Sequence, residues 1–187
     1  MNNRTRWLVL VLVLGVAGVV ALWPRDRTPE PQPTSSRPAQ DVNALRAQAQ
    51  LRPCVPGSEG GVDVTCLGDG TRTALALKGP MLINFWATWC QPCQAELPVL
   101  DNYAKQPGAV PVVPVLVESR EADGLELLAR LGVRLPSVYD GPDELRKRVK
   151  APIGLPATYF VGADGSVRQI TDPPYFTAAE QVEKAVR

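Results

Sequence analysis

Residues 81–98 read MLINFWATWCQPCQAELP, and this stretch decides the fold. Its beginning, residues 81–87, is nearly all apolar, which is typical of a central strand buried on both faces. A helix is predicted over residues 92–106, because a proline stands at its first position and apolar residues recur at helical spacing. Pro98 inside this helix removes one backbone hydrogen bond and is expected to bend it. The cysteines of the C-x-x-C sequence therefore lie between a buried strand and the start of a helix.

Strands and helices are predicted to alternate on both sides of this junction. A short helix capped by Asp41 precedes it, and residues 54–70, rich in glycine and polar residues, are expected to form a loop or hairpin. The other elements are predicted as an edge strand at 73–78, strands at 112–117, 137–139, 157–161 and 167–170, and helices at 121–131 and 143–149. A final helix is predicted to be capped by Thr177, because Thr-Ala-Ala-Glu has the spacing of a capping box. This alternation predicts an α/β domain of three layers.

The composition excludes several classes of chemistry. The 187 residues contain no histidine, which removes Ser-His-Asp and Cys-His catalysis, haem ligation through histidine and most zinc-site patterns. The formal net charge of +1 gives no electrostatic reason to expect a nucleic acid or another polyanion as partner. We therefore expect neither a cofactor nor a metal.

The N-terminal segment is expected to anchor the protein in a membrane. Residues 7–23 carry no charge and follow Arg4 and Arg6, so they are predicted to span the bilayer once, with residues 1–6 in the cytoplasm. A cleaved signal peptide is the alternative, since the span is short for a transmembrane helix. Residues 24–40, with five prolines, are predicted to form an extended linker. The folded domain is then expected on the extracytoplasmic side of the cell membrane.

The C-x-x-C pair is expected to carry the chemistry. Partial positive charge and unpaired N–H groups at a helix N-terminus favour a thiolate at Cys90. Cys93, one turn further, is expected to be more buried and to resolve a mixed disulfide formed by Cys90. Half of a zinc site is an alternative, although Cys54 and Cys66 lack the spacing of a zinc ribbon. A purely structural 90–93 disulfide is another, although so short a loop restricts the unfolded chain little.

Residues 84–98, NFWATWCQPCQAELP, resemble the active-site stretch of the TlpA/ResA-type membrane-anchored thioredoxin-like proteins. The likeness continues through LPATYFV at 155–161 to Asp164-Gly165 and covers residues 72–187. It implies a thioredoxin-like three-layer fold with a central mixed sheet and helices on both faces, here joined to the predicted membrane-spanning helix.

The resemblance also implies where substrate binds. Pro156 matches the cis-proline that faces the cysteine pair in this fold, an ordinary trans proline being the alternative. The backbone of Leu155 before it would bind a substrate polypeptide as an added strand. Trp89 is expected to be partly exposed beside Cys90 and is a further candidate substrate contact.

An acidic residue near the pair is implied as well. Glu96 matches the family's acid and lies three residues after Cys93 on the same helix face. It would exchange a proton with Cys93 or raise thiol pKa values by repulsion, whereas a solvated helix glutamate is the plainer alternative. Asn84 stands where cytosolic thioredoxins carry a buried aspartate, which leaves Glu96 as the acid near the pair.

The other two cysteines lie in the segment 41–71, which we interpret as an extension preceding the thioredoxin-like domain at 72–187. Four cysteines permit three pairings, and the tight C-x-x-C sequence favours Cys54–Cys66 together with Cys90–Cys93. A structural Cys54–Cys66 disulfide is expected, and a second redox-active pair is the alternative.

The functional hypothesis is an extracytoplasmic enzyme that reduces disulfides in exported proteins. The resemblance implies substrates such as apocytochrome c and electrons from a membrane thiol carrier. Three alternatives remain: an oxidant that introduces disulfides, a non-catalytic peptide-binding module, and a copper-delivery module of the Sco type. The last type uses C-x-x-x-C and a histidine, which this sequence lacks.

Overall fold

Strands and helices alternate along the chain in the computed structural model, which describes residues 41–54, 57 and 59–187. The strands are β1 (Val62–Cys66), β2 (Arg72–Leu75), β3 (Met81–Trp86), β4 (Val112–Leu116), β5 (Val138–Tyr139), β6 (Ala157–Val161) and β7 (Val167–Ile170). The helices are α1 (Val42–Ala49), α2 (Gln91–Tyr103), α3 (Glu121–Leu131), α4 (Glu144–Arg148) and α5 (Ala179–Ala185). The predicted membrane span at 7–23 and the linker at 24–40 lie outside the described residues. Within the described residues, no helix is long and apolar enough to cross a membrane.

The strands form one mixed sheet in the order β2-β1-β5-β4-β3-β6-β7. Parallel pairing joins β3 to β4 and β4 to β5, whereas the other neighbours pair antiparallel. β3 lies between β4 and β6, and each of its residues is buried. The C-x-x-C sequence follows β3 and therefore lies at the carboxyl end of a central strand of the sheet.

Two hydrophobic cores lie on the two faces of the sheet. Alternate residues of β3 point to opposite faces, so Leu82 and Trp86 join one core while Ile83 and Phe85 join the other. The first core also contains buried side chains from α1, α2, α3 and α5, and the second contains Leu145 of α4. The predicted thioredoxin-like α/β fold, with a mixed central sheet and helices on both faces, is confirmed.

The segment predicted as an N-terminal extension contributes to the same sheet. β1 pairs with β2, and it also pairs with β5, where Thr65 lies opposite Tyr139. The boundary expected between residues 71 and 72 falls at the turn of the β1–β2 hairpin. Residues 54–70, expected as loop or hairpin, thus supply one strand of the hairpin.

One predicted helix start is wrong. Thr177 is not the N-cap of the last helix, because α5 begins at Ala179 and Ala178 is its N-cap. The side chain of Gln181 accepts hydrogen bonds from the backbone N–H groups of Thr177 (2.8 Å) and Ala178 (3.2 Å). The Gln181 side chain therefore accepts the hydrogen bond from the Thr177 N–H that the Glu180 side chain was expected to accept in the predicted capping box, and the helix starts one residue later.

Candidate active site

Cys90 and Cys93 form a disulfide at the start of α2, with their Cα atoms 5.3 Å apart. Cys90 is the N-cap of the helix, and its sulfur accepts a hydrogen bond of 3.2 Å from the backbone N–H of Cys93. Both cysteines are buried, Cys90 with 3% of its surface exposed and Cys93 with none. After reduction, the same N–H group and the helix dipole would stabilise a thiolate on Cys90.

The loop between β3 and α2 is held on both sides. The backbone N–H of Thr88 donates to the hydroxyl of Ser119, which follows β4, at 3.0 Å. The side-chain amide of Gln94 donates to the carbonyl of Thr88 at 2.8 Å. The backbone N–H of Cys90 donates to the carbonyl of Ala87 at 3.1 Å. These bonds fix the cysteine pair relative to the ends of β3 and β4.

Glu96 is buried, with 1% of its surface exposed, so it is not a solvated helix glutamate. Its carboxylate accepts hydrogen bonds of 2.8 Å from the side-chain amide of Asn84 and from the backbone N–H of Phe176. Burial raises the pKa of Glu96 from 4.5 to about 7, and these two hydrogen bonds oppose that rise. The carboxyl group can therefore gain or lose a proton near neutral pH.

Asn84 connects this carboxylate to the neighbouring strand. Its side-chain amide also donates to the hydroxyl of Thr158 on β6 at 2.9 Å, and the two residues lie opposite each other in the β3–β6 register. The amide oxygen of Asn84 has no hydrogen-bond partner within the described part of the chain. Glu96, Asn84 and Thr158 thus form a buried polar group that joins α2, β3 and β6.

Two of the residues predicted to bind substrate, Leu155 and Pro156, directly precede β6, and the third, Trp89, directly precedes Cys90 in the sequence. The Leu155–Pro156 peptide bond is cis, as predicted. Leu155 is half-buried and packs against the core that contains both active-site cysteines. Trp89, directly before Cys90, has 60% of its surface exposed.

A buried arginine that contacts the segment before Leu155 was not predicted. Arg146 of α4 has 8% of its surface exposed. Its guanidinium donates to the carboxylate of Glu118 and to the carbonyl oxygens of Pro152 and Ile153, the last two at 3.0 Å each. The pattern Glu-Leu-Arg-Lys-Arg looks like an exposed basic helix, so the sequence alone gives no signal for the burial of this side chain.

The second cysteine pair is also a disulfide. Cys54 is linked to Cys66 at the end of β1, with a Cα–Cα distance of 5.9 Å. It joins the chain before the hairpin to the sheet. Among the residues that the structure describes, no cluster of three or more Cys, Asp or Glu side chains is placed to hold a metal ion.

Comparison with known proteins identifies related sequences. The model of the AhpC/TSA family matches residues 62–170. The thiol-disulfide oxidoreductase ResA of Oceanobacillus iheyensis is 38% identical over 97 residues, which cover 50% of this chain and 48% of that protein. The thiol:disulfide interchange protein CycY of Rhizobium leguminosarum is 33% identical over 96 residues, covering 51% of each chain. The chain thus spans about half the length of these curated relatives.

Solved structures show the same fold. A secreted Mycobacterium tuberculosis disulfide oxidoreductase homologous to E. coli DsbE superposes with a TM-score of 0.57 at 21% identity, covering 75% of this chain and 96% of that one. StoA from Bacillus subtilis gives a TM-score of 0.55 at 22% identity, covering 72% and 100%. At these identities, the likeness concerns the fold alone.

Proposed function

This chain belongs to the AhpC/TSA family, and from that premise we propose that it is a thiol–disulfide oxidoreductase acting through Cys90 and Cys93. The observation that carries the proposal is the position of the pair, at the N-terminus of α2 directly after a fully buried strand. There the chain offers N–H groups to a sulfur anion and holds the second sulfur within disulfide distance. The names of the curated relatives, thiol-disulfide oxidoreductase and thiol:disulfide interchange protein, support the same reaction.

We propose that the reduced pair acts in two exchange steps. The Cys90 thiolate attacks one sulfur of a substrate disulfide, forms a mixed disulfide and releases the other substrate sulfur as a thiolate. Cys93 then attacks the Cys90 sulfur, which releases the second substrate thiolate and leaves the Cys90–Cys93 disulfide. Two electrons pass to the substrate, and a thiol donor must return them to the pair.

Glu96 is proposed to serve proton transfer during the second step. It lies one helical turn after Cys93, so the two side chains share a helix face. A thiol must lose its proton before it attacks, and a carboxylate with a pKa of about 7 accepts a proton efficiently near neutral pH. The alternative role, raising the pKa values of the thiols by repulsion, requires the same carboxylate in its ionised form.

The substrates are proposed to be polypeptides of exported proteins, for example apocytochrome c thiols oxidised before haem attachment. The backbone of Leu155, placed by the cis Pro156, would bind the polypeptide as an added strand, with Trp89 contacting its side chains. Residues 7–23 would anchor the protein in the cell membrane with the domain on the extracytoplasmic side. A membrane thiol carrier would reduce the pair again after each turnover.

Replacing the attacking cysteine tests the reaction. We expect the full-length chain to catalyse insulin reduction by dithiothreitol, and Cys90→Ser to abolish this catalysis because no nucleophile remains. Cys93→Ser is the matched variant: it keeps the nucleophile but cannot resolve, so it should accumulate a mixed disulfide visible on a non-reducing gel. Full catalysis by Cys90→Ser would contradict the mechanism, and partner binding that survives loss of both cysteines would favour a peptide-binding module.

The direction of electron flow is tested by equilibrating the pair with glutathione. A reduction potential well below about −200 mV would support a reductant, because such a dithiol readily passes its electrons to glutathione disulfide and its own disulfide resists reduction by glutathione. A potential near about −120 mV would instead identify an oxidant of exported proteins.

A further inference from the structure

Arg146 occupies an unusual position for an arginine on a short helix. Arginine side chains are rarely buried unless paired, because removing a guanidinium from water is costly. Here the side chain has 8% of its surface exposed and is paired with Glu118 of the loop that follows β4. A second arginine of the same helix, Arg148, is exposed. The burial is therefore specific to Arg146 and is offset by its contacts.

These contacts join two loops, the one that follows β4 and the one that precedes β6. Glu118 directly precedes Ser119, whose hydroxyl accepts the hydrogen bond from the backbone of Thr88 in the loop before Cys90. On its other side, the guanidinium donates to the carbonyl oxygens of Pro152 and Ile153 at 3.0 Å each. One planar group thus holds the loop on the β4 side and the loop that leads into Leu155.

The second loop presents a large apolar side chain to water. Ile153 has 83% of its surface exposed, while its own carbonyl oxygen is held by the buried guanidinium. Because the Arg146 guanidinium holds the backbone of Ile153, a small rearrangement of the loop cannot bury this side chain. It lies two residues before Leu155, the backbone proposed to pair with a substrate strand.

We propose that Arg146 is a positioning residue that preforms the substrate-binding loop 152–155, and that Ile153 is the side chain through which this loop recognises apolar residues of a polypeptide. The proposal rests on the proposed function and specifies how the same site selects polypeptides. A preformed strand-pairing edge lowers the entropic cost of binding a flexible chain. A small disulfide forms no backbone hydrogen bonds with the loop, so its binding should not depend on whether the loop is preformed.

Lysine tests the role of the guanidinium because it keeps the positive charge but loses the planar fork. The backbone N–H of Arg146 donates to Asp140 at 2.9 Å, and this contact survives the substitution. For Arg146→Lys in the full-length chain, we expect KM for insulin to rise roughly tenfold, as misplacement of a binding element costs at least this much. The kcat/KM for hydroxyethyl disulfide should stay within about twofold of the wild-type value. Arg148→Lys is the matched control and should leave both substrates unaffected.

A surface substitution supplies a second test that does not depend on the stability of the Arg146 variant. Ile153→Ser should raise KM for insulin roughly tenfold, which corresponds to the lower end of the contribution from burying one aliphatic side chain. Combined with Arg146→Lys, it should add little, since Ile153 is then no longer held in place.

Equal losses on insulin and on hydroxyethyl disulfide would overturn the inference and assign Arg146 a general structural role. Unchanged insulin kinetics in both variants would also overturn it. Hydrogen exchange separates this failure from failure of the proposed function. The amides of residues 153–155 should exchange faster in Arg146→Lys than in wild type, and this measurement does not require the enzyme to be active. No change in that exchange would show that the arginine does not hold the loop.

Discussion

Two opposing effects act on the pKa of Glu96. Burial in the first core disfavours its charge, while the amide of Asn84 and the N–H of Phe176 stabilise the carboxylate. Burial prevails, and the pKa rises from 4.5 to about 7. Between these two values, the folded protein binds a proton that the unfolded chain releases, so the group stabilises the fold at low pH and this contribution is lost as pH rises through about 7.

Glu96→Gln is predicted to remove this dependence. The free energy of unfolding of the oxidised wild-type chain should fall by on the order of 3 kcal/mol between about pH 4.5 and about pH 7, from the shift in this one pKa. The variant should lack that fall and should lose the acceleration of disulfide exchange near neutral pH. Urea unfolding at a series of pH values measures the first effect, and pH–rate profiles measure the second.

Glu180→Gln, an exposed glutamate on α5, is the control and should follow the wild-type curve. A Glu96→Gln variant with the wild-type pH dependence of stability would contradict the raised pKa.

Single residues differ in how well sequence predicts them. Cys90, Cys93, Glu96 and Pro156 belong to a long local pattern, so the sequence alone singles them out, and their roles stay predictions. Arg146 could not be predicted, because its burial depends on carbonyl groups and a carboxylate supplied by other loops. The same holds for the N–H of Phe176, which lies 80 residues after the carboxylate it contacts.

At the scale of elements, the β1–β2 hairpin is attached through β1 to β5, and the Cys54–Cys66 disulfide links the segment before the hairpin to the end of β1. β5 has only two residues, so the pairing between β1 and β5 is short. A disulfide that ties the preceding loop to the end of β1 therefore adds constraint where the sheet supplies little.

Replacing both cysteines of this disulfide by alanine is predicted to lower the free energy of unfolding by about 3 kcal/mol, the chain-entropy value for a loop of this length. Catalysis of insulin reduction should persist at temperatures where the variant is folded, because Cys90 and Cys93 are untouched. Urea unfolding and the insulin assay on the same preparation measure both quantities. Loss of catalysis by a folded variant would favour the alternative of a second redox-active pair.

Elements were predictable where periodicity is strong and local. The bounds of α3 and of β6 and β7 agree with the predicted ranges, since apolar spacing and turn residues mark both ends. At the end of α3, Gly132 adopts a left-handed φ of 67°, the usual helix stop. The sequence did not predict β1 as a strand separate from the surrounding loop. In its residues Val-Asp-Val-Thr-Cys, apolar and polar side chains alternate over too short a length between glycine-rich segments. The start of α5 was misplaced because two different side chains can satisfy the same N–H groups.

At the scale of the whole molecule, the order of strands could be expected only through the family resemblance. Periodicity identifies strands but does not say that β3 lies between β4 and β6 or that β1 joins β5. Those pairings are decided by which apolar faces meet across long sequence separations. The resemblance supplied the mixed sheet, and the structure adds the hairpin at its edge.

The arrangement of the whole chain also includes the predicted anchor at residues 7–23. We predict that the full-length protein fractionates with membranes and stays there after alkaline carbonate extraction, because a span of this length requires detergent for release. A chain beginning at residue 24 should appear in the soluble fraction. Recovery of a shortened, soluble form from the full-length gene would instead support a cleaved signal peptide.

The hydrogen bond between Phe176 and Glu96 has a consequence for biosynthesis. A ribosome makes the two cysteines long before it makes Phe176, which follows Glu96 by 80 residues. During that interval, the carboxylate stays in water and is ionised at neutral pH like any glutamate of an unfolded chain. The hydrogen bond from the backbone of Phe176 can form only after that segment has been synthesised, so a nascent chain carries Cys90 and Cys93 before this contact of Glu96 exists.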